Sequence, residues 1–240
     1  MNFKKIFAVV LIISMLATVC MLSSCSNETT KQIIKTEIVN GELWITYSDA
    51  PDTPVNAGRV EPSYEGTEGL SFHLLPDGTY GVTGGTADQL DKIVIPSTYN
   101  DKAVTKILDE AFIKFINLKQ VIIPDTVTSI GSRSFSMCTQ LESVVVPASV
   151  VYIGEGAFST CSSLKAVTLS NSIQSVGSFA FANTLMLKEI VIPASVAAMG
   201  RDVFLNNTET VIKCEAAQKP EKWDSLWSGG PTVIVWGYNS

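Results

Sequence analysis

The chain has 240 residues, 46% hydrophobic and 17% charged, which is long and apolar enough for one well-buried domain with accessory segments and excludes a wholly disordered chain. Lys4 and Lys5 are the only charged residues before position 25, so loss of that stretch moves the formal charge from −6 to −8. An acidic domain of this kind repels phosphate backbones, and nucleic acid is not an expected partner.

In chain order, the two lysines precede an apolar run from Ile6 to about Cys20, which closes on Leu22-Ser23-Ser24-Cys25. A basic start, an apolar stretch and small residues form the layout of an export signal over residues 1–24. The alternative is an anchor helix, but the run is short for a span of about 20 residues and has no basic flank behind it. Leu22 to Cys25 also resembles a bacterial lipobox, which implies acylation of the Cys25 thiol and attachment to a membrane by lipid instead of by a helix. Ordinary cleavage leaving Cys25 as a free thiol is the competing reading. Residues 25–65 are expected to be a tether, Ser26 to Gln32, followed by a short hairpin stalk. The hairpin signal is Asn40-Gly41, a type I′ turn pair, between Ile38-Val39 and Leu43-Trp44-Ile45.

Residues 66–89 contain a second hairpin signal: Phe72 and Leu74, then Pro76-Asp77-Gly78, then Tyr80 and Val82. This hairpin is placed to cover the first coil of the repeated segment that follows it. From residue 90 to residue 210 the sequence repeats every 23 residues. One column holds Leu118, Leu141, Leu164 and Leu187; another holds Phe112, Phe135, Phe158, Phe181 and Phe204. Val121, Val144, Val167 and Ile190 keep the same step, and so do Ile123, Val146, Leu169 and Ile192. Each unit therefore reads as a short strand, stopped by a proline such as Pro124, then a second turn at Gly131, Gly154, Gly177 or Gly200. Those glycines answer either a positive φ or a close backbone approach. A single unit cannot bury this apolar set, whereas stacked units bury it as one continuous core. About five such repeats are read here.

Segments such as Leu141-Glu142-Ser143-Val144-Val145-Val146-Pro147 with Ile153-Gly154 and Ala157-Phe158 resemble the repeat of BspA-like leucine-rich-repeat surface proteins. The fold class expected is therefore a leucine-rich-repeat solenoid, a β-rich curved right-handed coil of short parallel strands with a hairpin cap at its N-terminal end. Residues 211–240, with Cys214-Glu215-Ala216-Ala217 and Trp223, Trp227 and Trp236, are similar to a common end of such chains and are expected to form a small C-terminal cap. Ser170 departs from the proline column, and five extra residues around Tyr99-Asn100-Asp101-Lys102 make the first unit irregular and are expected to form a surface turn.

Catalytic chemistry finds no foothold in the pattern. His73, the only histidine, lies on the opposite alternation phase from Phe72 and Leu74 and reads as an exposed polar residue. Gly154-Glu155-Gly156 resembles part of a dinucleotide loop, but Gly154 belongs to its repeat column and the third glycine position is Ser159. Asp109, Glu110 and Asp125 are turn carboxylates without recurring partners. Cys138 and Cys161 share a repeat position that holds Phe115, Thr184 and Asn207 in other units; a disulfide and buried free thiols are both open, with the thiols favoured. An enzyme is not expected, nor a metal site, a cofactor or a small-molecule substrate.

What remains is surface. The residue between the two buried aliphatics of each strand points outward, giving Val94, Ile122, Val145, Thr168 and Val191 in successive coils. Strand preference alone accounts for β-branched residues there; an apolar stripe rimmed by Gln120, Ser143, Ala166 and Glu189 also answers to a protein-binding face. The family resemblance implies adhesion, to host extracellular matrix or to other cells, from the lipid-anchored outer face of a bacterial membrane. The alternative is a structural or scaffold protein of the bacterial envelope.

Overall fold

The computed structural model describes residues 66–230 and 233–239 in full, and three earlier strands as backbone alone. The export segment, Cys25, the tether and the Asn40-Gly41 turn lie outside the described residues. The chain divides at Ser63/Tyr64 into two compact units. In the first, Ile33–Val39 pairs antiparallel with Glu42–Tyr47, and Val39 faces Glu42 across the turn position. Glu42–Tyr47 pairs in turn with Ala50–Arg59. That third strand was not read from the sequence, because Pro51 and Pro54 argue against a strand; as the edge of a three-stranded sheet it tolerates residues that cannot donate to a ladder.

The second unit is a β-solenoid with coils about 23 residues apart, and its described residues include no helix. Each coil contributes to two rows of parallel strands. The first row contains Lys92–Val94, Gln120–Ile122, Ser143–Val145 and Ala166–Thr168, and then Glu189–Ile192, Val211–Cys214 and Val233–Trp236. The second row runs from Lys102–Ile107 through Ser129–Ile130, Tyr152–Ile153 and Ser175–Val176 to Ala198–Met199. Sequence reading assigned only a turn to this second position. Strands of two residues are too short to show any periodicity, yet stacking gives each one ladder partners above and below.

The phenylalanine column sits inside the coil. Phe112, Phe135, Phe158, Phe181 and Phe204 are fully buried, with successive ring centroids 5.1, 5.3, 5.4 and 5.7 Å apart and planes within 11° of parallel. Identical side chains at an identical position make this stack the direct consequence of the repeat. Beside it, the Cys138 thiol donates to the Phe112 carbonyl and the Cys161 thiol to the Phe135 carbonyl, each at 3.1 Å. Two coils on, Asn207 donates to the Phe181 carbonyl at 3.0 Å and to the Thr184 hydroxyl at 2.7 Å. Cys138, Cys161 and Asn207 thus each satisfy a buried carbonyl one coil back, whereas Thr184 in the same column donates to Phe181 O of its own coil at 2.8 Å. Cys138, Cys161 and Cys214 are free and buried. Burial pushes the Cys138 and Cys214 thiols up to about 12 and holds Cys161 well above the ordinary thiol value, which keeps all three protonated as packing groups.

The repeated glycines resolve in favour of close approach. None of Gly131, Gly154, Gly177 and Gly200 has a positive φ; a Cβ on Gly177 would lie 2.5 Å from the Glu155 backbone nitrogen, and one on Gly200 2.4 Å from that of Ser178. Positive φ falls two residues later, on Arg133 (52°), Phe179 (58°) and Asp202 (53°), and again at Met137 (64°), Thr160 (63°) and Asn206 (67°). Non-glycine residues accept these angles because each turn is bonded to the next coil, as in Arg133 N–H to Glu155 O at 2.7 Å and Met137 N–H to Ser159 O at 2.8 Å.

Both ends of the stack are covered. Ser71–Leu74 and Tyr80–Thr83 form an antiparallel hairpin, and Tyr80–Thr83 pairs parallel with Lys102–Ile107, extending the second row by two strands. The extra residues of the first coil form a small hairpin, Thr98–Tyr99 on Lys102–Ala103, with Asn100 and Asp101 at positive φ. Tyr99, expected on a bare surface turn, is 39% exposed and stacks on Phe72 at 4.1 Å. At the other end the Trp227 ring meets Phe204 edge-on at 6.2 Å, and Trp223 donates from its indole to the Val196 carbonyl at 2.9 Å.

Candidate binding face

The first strand row supplies the face under consideration. Its inward residues are the two aliphatic columns, and the residue between them faces solvent: Val145 is 66% exposed, Thr168 is exposed, and Val94, Ile122 and Val191 are partly covered. The structure places all five on the same row, but it does not join them into one ladder. Lys92–Val94 through Ala166–Thr168 form one four-stranded sheet, and Glu189–Ile192 begins a second with Val211–Cys214 and Val233–Trp236. No ladder pair links Thr168 to Val191 among the described residues. Elsewhere the coils at this step stay joined: Ser175–Val176 pairs with Ala198–Met199, and Phe181 N–H donates to the Val203 carbonyl at 2.9 Å. At this step the strand row loses its ladder while its two strands stay side by side.

The interruption coincides with a step in the charge pattern. The residue just before each strand forms a column of Lys119, Glu142, Lys165 and Lys188. Opposite charges at successive coils attract, and Lys165 reaches back to Glu142 at 3.3 Å. Lys165 and Lys188 are the one like-charged step, and like charges directly opposite each other destabilise a pairing. Lys188 turns away to pair with Glu209, while Glu189 pairs with Lys213 at 2.7 Å, so both ion pairs of this strand point to the far coil. Lys165 and Lys188 were not singled out in the sequence reading, although two lysines 23 residues apart in one column are a visible signal.

The opening forms a cleft of about 370 Å³ lined by Lys165 to Leu169 and Lys188 to Val191. Val167 and Leu169 are only partly buried there, whereas their column mates Val144, Val146, Ile190 and Ile192 are at most 2% exposed. The cleft thus has an aliphatic floor, with Lys165, Lys188 and Glu189 on its walls. The other polar groups considered lie apart from it. His73 is exposed and reaches the Thr83 hydroxyl at 3.4 Å, and Leu74 beside it is 59% exposed, so the outer hairpin strand covers the stack only through Phe72. Among the described residues no three metal-ligating side chains gather, and no helix is long and apolar enough to cross a membrane.

Parallel strands on one row, a stacked aromatic column inside and a 23-residue step define a leucine-rich-repeat solenoid. Residues 86–210 match the BspA type leucine-rich repeat region in six copies, and the chain belongs to that family. Among solved structures it is similar to a T. pallidum leucine-rich repeat protein, with 25% identity, a TM-score of 0.65, and coverage of 72% of this chain and 81% of that one. It is also similar to a leucine-rich cell surface protein of Faecalibacterium prausnitzii (24% identity, TM-score 0.42, 64% of this chain and 55% of that one). The pneumococcal vaccine antigen PcpA gives 20% identity and a TM-score of 0.47 over 77% of this chain and 51% of that one. The chain thus spans about half the length of these last two proteins. A search of curated proteins returned no match.

Proposed function

We propose that this protein is a binding module displayed on a bacterial surface, engaging another protein through the first strand row and held to the membrane by lipid on Cys25. The observation that carries the reading is the outward column of Val94, Ile122, Val145, Thr168 and Val191, apolar in four of five coils and unshielded at Val145. Membership of a repeat family whose coils present an extended face supports a protein ligand over a small molecule, and the export-signal layout that ends on Leu22 to Cys25 supports the location. Adhesion to host matrix or to other cells is the finer form of this proposal. Affinity capture from matrix extract and from the producing cell's own envelope tests it: adhesion predicts enrichment of matrix or foreign-cell proteins, and enrichment of envelope proteins alone contradicts it.

The anchor has its own test. Cys25→Ser removes the thiol that would carry acyl chains and leaves the solenoid's residues untouched, so metabolic labelling with a fatty acid is expected to fall to background while the folded domain leaves the membrane fraction. A variant that keeps both label and membrane attachment overturns lipidation at this position.

A further inference from the structure

We infer that the outer edge of the last strand of the first row, Val233–Trp236, is a self-association surface. Two copies of this chain join there edge to edge and antiparallel about a two-fold axis, so that their three-stranded sheets merge into one. This goes beyond the binding-module reading and does not depend on it. Among the described residues Val233–Trp236 ends its sheet, with Val211–Cys214 as its one ladder partner. An unpaired strand edge is a template for another chain, and such edges are ordinarily blunted by charge, proline, a bulge or a covering segment. The other three row ends are managed in these ways. At the start of the first row, Thr67 N–H donates to the Val94 carbonyl at 2.9 Å, and its hydroxyl accepts from Val94 N–H at 2.7 Å. At the end of the second row, Trp223 forms a bridge with Met199, and Asp224 N–H donates to the Met199 carbonyl at 2.9 Å. At the start of the second row, Ser71–Leu74 also ends its sheet, but Glu68 and Asp77 flank it, so two such edges would meet with like charges.

Val233–Trp236 has none of these protections. Its sequence, Val-Ile-Val-Trp, carries no charge and no proline, and Val233 and Val235 are 62% and 38% exposed. Two copies of a chain with a formal charge of −6 repel each other over most of their surface. Residues 225–240 contain no charged side chain, so at this edge two copies meet on neutral ground. A two-fold contact requires a strand that complements itself, and antiparallel pairing of Val-Ile-Val-Trp with its copy sets β-branched and aromatic residues opposite one another. Head-to-tail stacking along the first row is blocked, because Thr67 closes its start; the contact therefore ends at two copies. The strand is also held ready. Ile234 and Trp236 pack against the core, the Trp236 ring lies 5.9 Å from that of Trp223, and Tyr238 N–H donates to the Cys214 carbonyl at 2.9 Å. Pairing thus costs little ordering. An edge of four residues covers less than the roughly 800 Å² per partner of a standard interface, so the dimer is expected to be weak, with a Kd on the order of 10 μM or above.

Sedimentation velocity of the full chain, from about 1 to about 200 μM, brackets that affinity. The parent is expected to shift reversibly from monomer to dimer. Val233→Lys combined with Val235→Lys places like charges on both sides of the two-fold contact. Lys213 already holds the register position of Val235 one coil back, so the sheet accepts lysine there. This variant should keep the thermal melt seen by circular dichroism and dimerise at least about tenfold more weakly. If the double variant does not fold, Val235→Lys alone carries the same expectation. Leu74→Lys, on the other unpaired edge, should dimerise as the parent does. A parent that stays monomeric throughout, or lysine variants at Val233 and Val235 that dimerise normally, overturns the proposal. Loss of the dimer in Leu74→Lys also overturns it, since the contact would then involve the hairpin edge and would not be the two-fold pairing of Val233–Trp236.

Discussion

Phe158→Ala is expected to lower the unfolding free energy by about 3–5 kcal/mol, the range for emptying a fully buried phenylalanine site. The ring has stacked neighbours on both sides, Phe135 at 5.3 Å and Phe181 at 5.4 Å, so its loss leaves a cavity in the middle of the column where neither coil can collapse without breaking its ladder. Tyr152→Ala is the fitting comparison, since that side chain is 41% exposed; Tyr99 is unsuitable because it stacks on Phe72. Chemical denaturation should separate the two variants by at least about 2 kcal/mol. Coincident midpoints would mean that the aromatic column does not hold the coils together.

Gly177→Ala is expected to cost about 1–3 kcal/mol, an unusual penalty for adding one methyl group. Its φ is not positive, so the backbone conformation suits alanine; the obstacle is the Glu155 nitrogen at 2.5 Å and the Gly154 carbonyl carbon at 2.7 Å from the new Cβ. Backbone atoms bonded into the neighbouring coil cannot step aside, and separating the coils would stretch the Gly177 N–H to Ile153 O bond of 2.8 Å. Gly230→Ala, where a Cβ meets nothing within 4 Å, should stay within about 0.5 kcal/mol of the parent. Equal losses at the two sites would point to glycine's backbone freedom, not to coil spacing.

Much of the architecture is legible in the sequence because the repeat writes each contact several times. Five phenylalanines in one column already state that a ring stacks on its own copy. The glycine column was ambiguous for a physical reason: sequence shows that Cβ is excluded there but not whether a dihedral angle or a neighbouring coil excludes it. The non-glycine turn residues at positive φ, among them Thr160 and Phe179, leave no trace in composition because inter-coil bonds override their local preference. At the candidate face the strand column was readable position by position. Its interruption is not, because the aliphatic column Val121, Val144, Val167 and Ile190 runs unbroken across the step at which the ladder is lost.

The reading of the strand row as the binding face is tested most directly by the affinity of one identified partner for two variants. Replacing Ile122, Val145 and Val191 together by threonine keeps β-branching and strand preference while removing the outward apolar surface. Reversing charge at Glu110, Glu155 and Asp202 alters the turn side of the coils instead. The threonine variant is expected to lose at least about tenfold in affinity with little dependence on salt, and the charge-reversed variant to bind as the parent does. Normal binding by the threonine variant, together with loss in the charge-reversed one, would contradict the account.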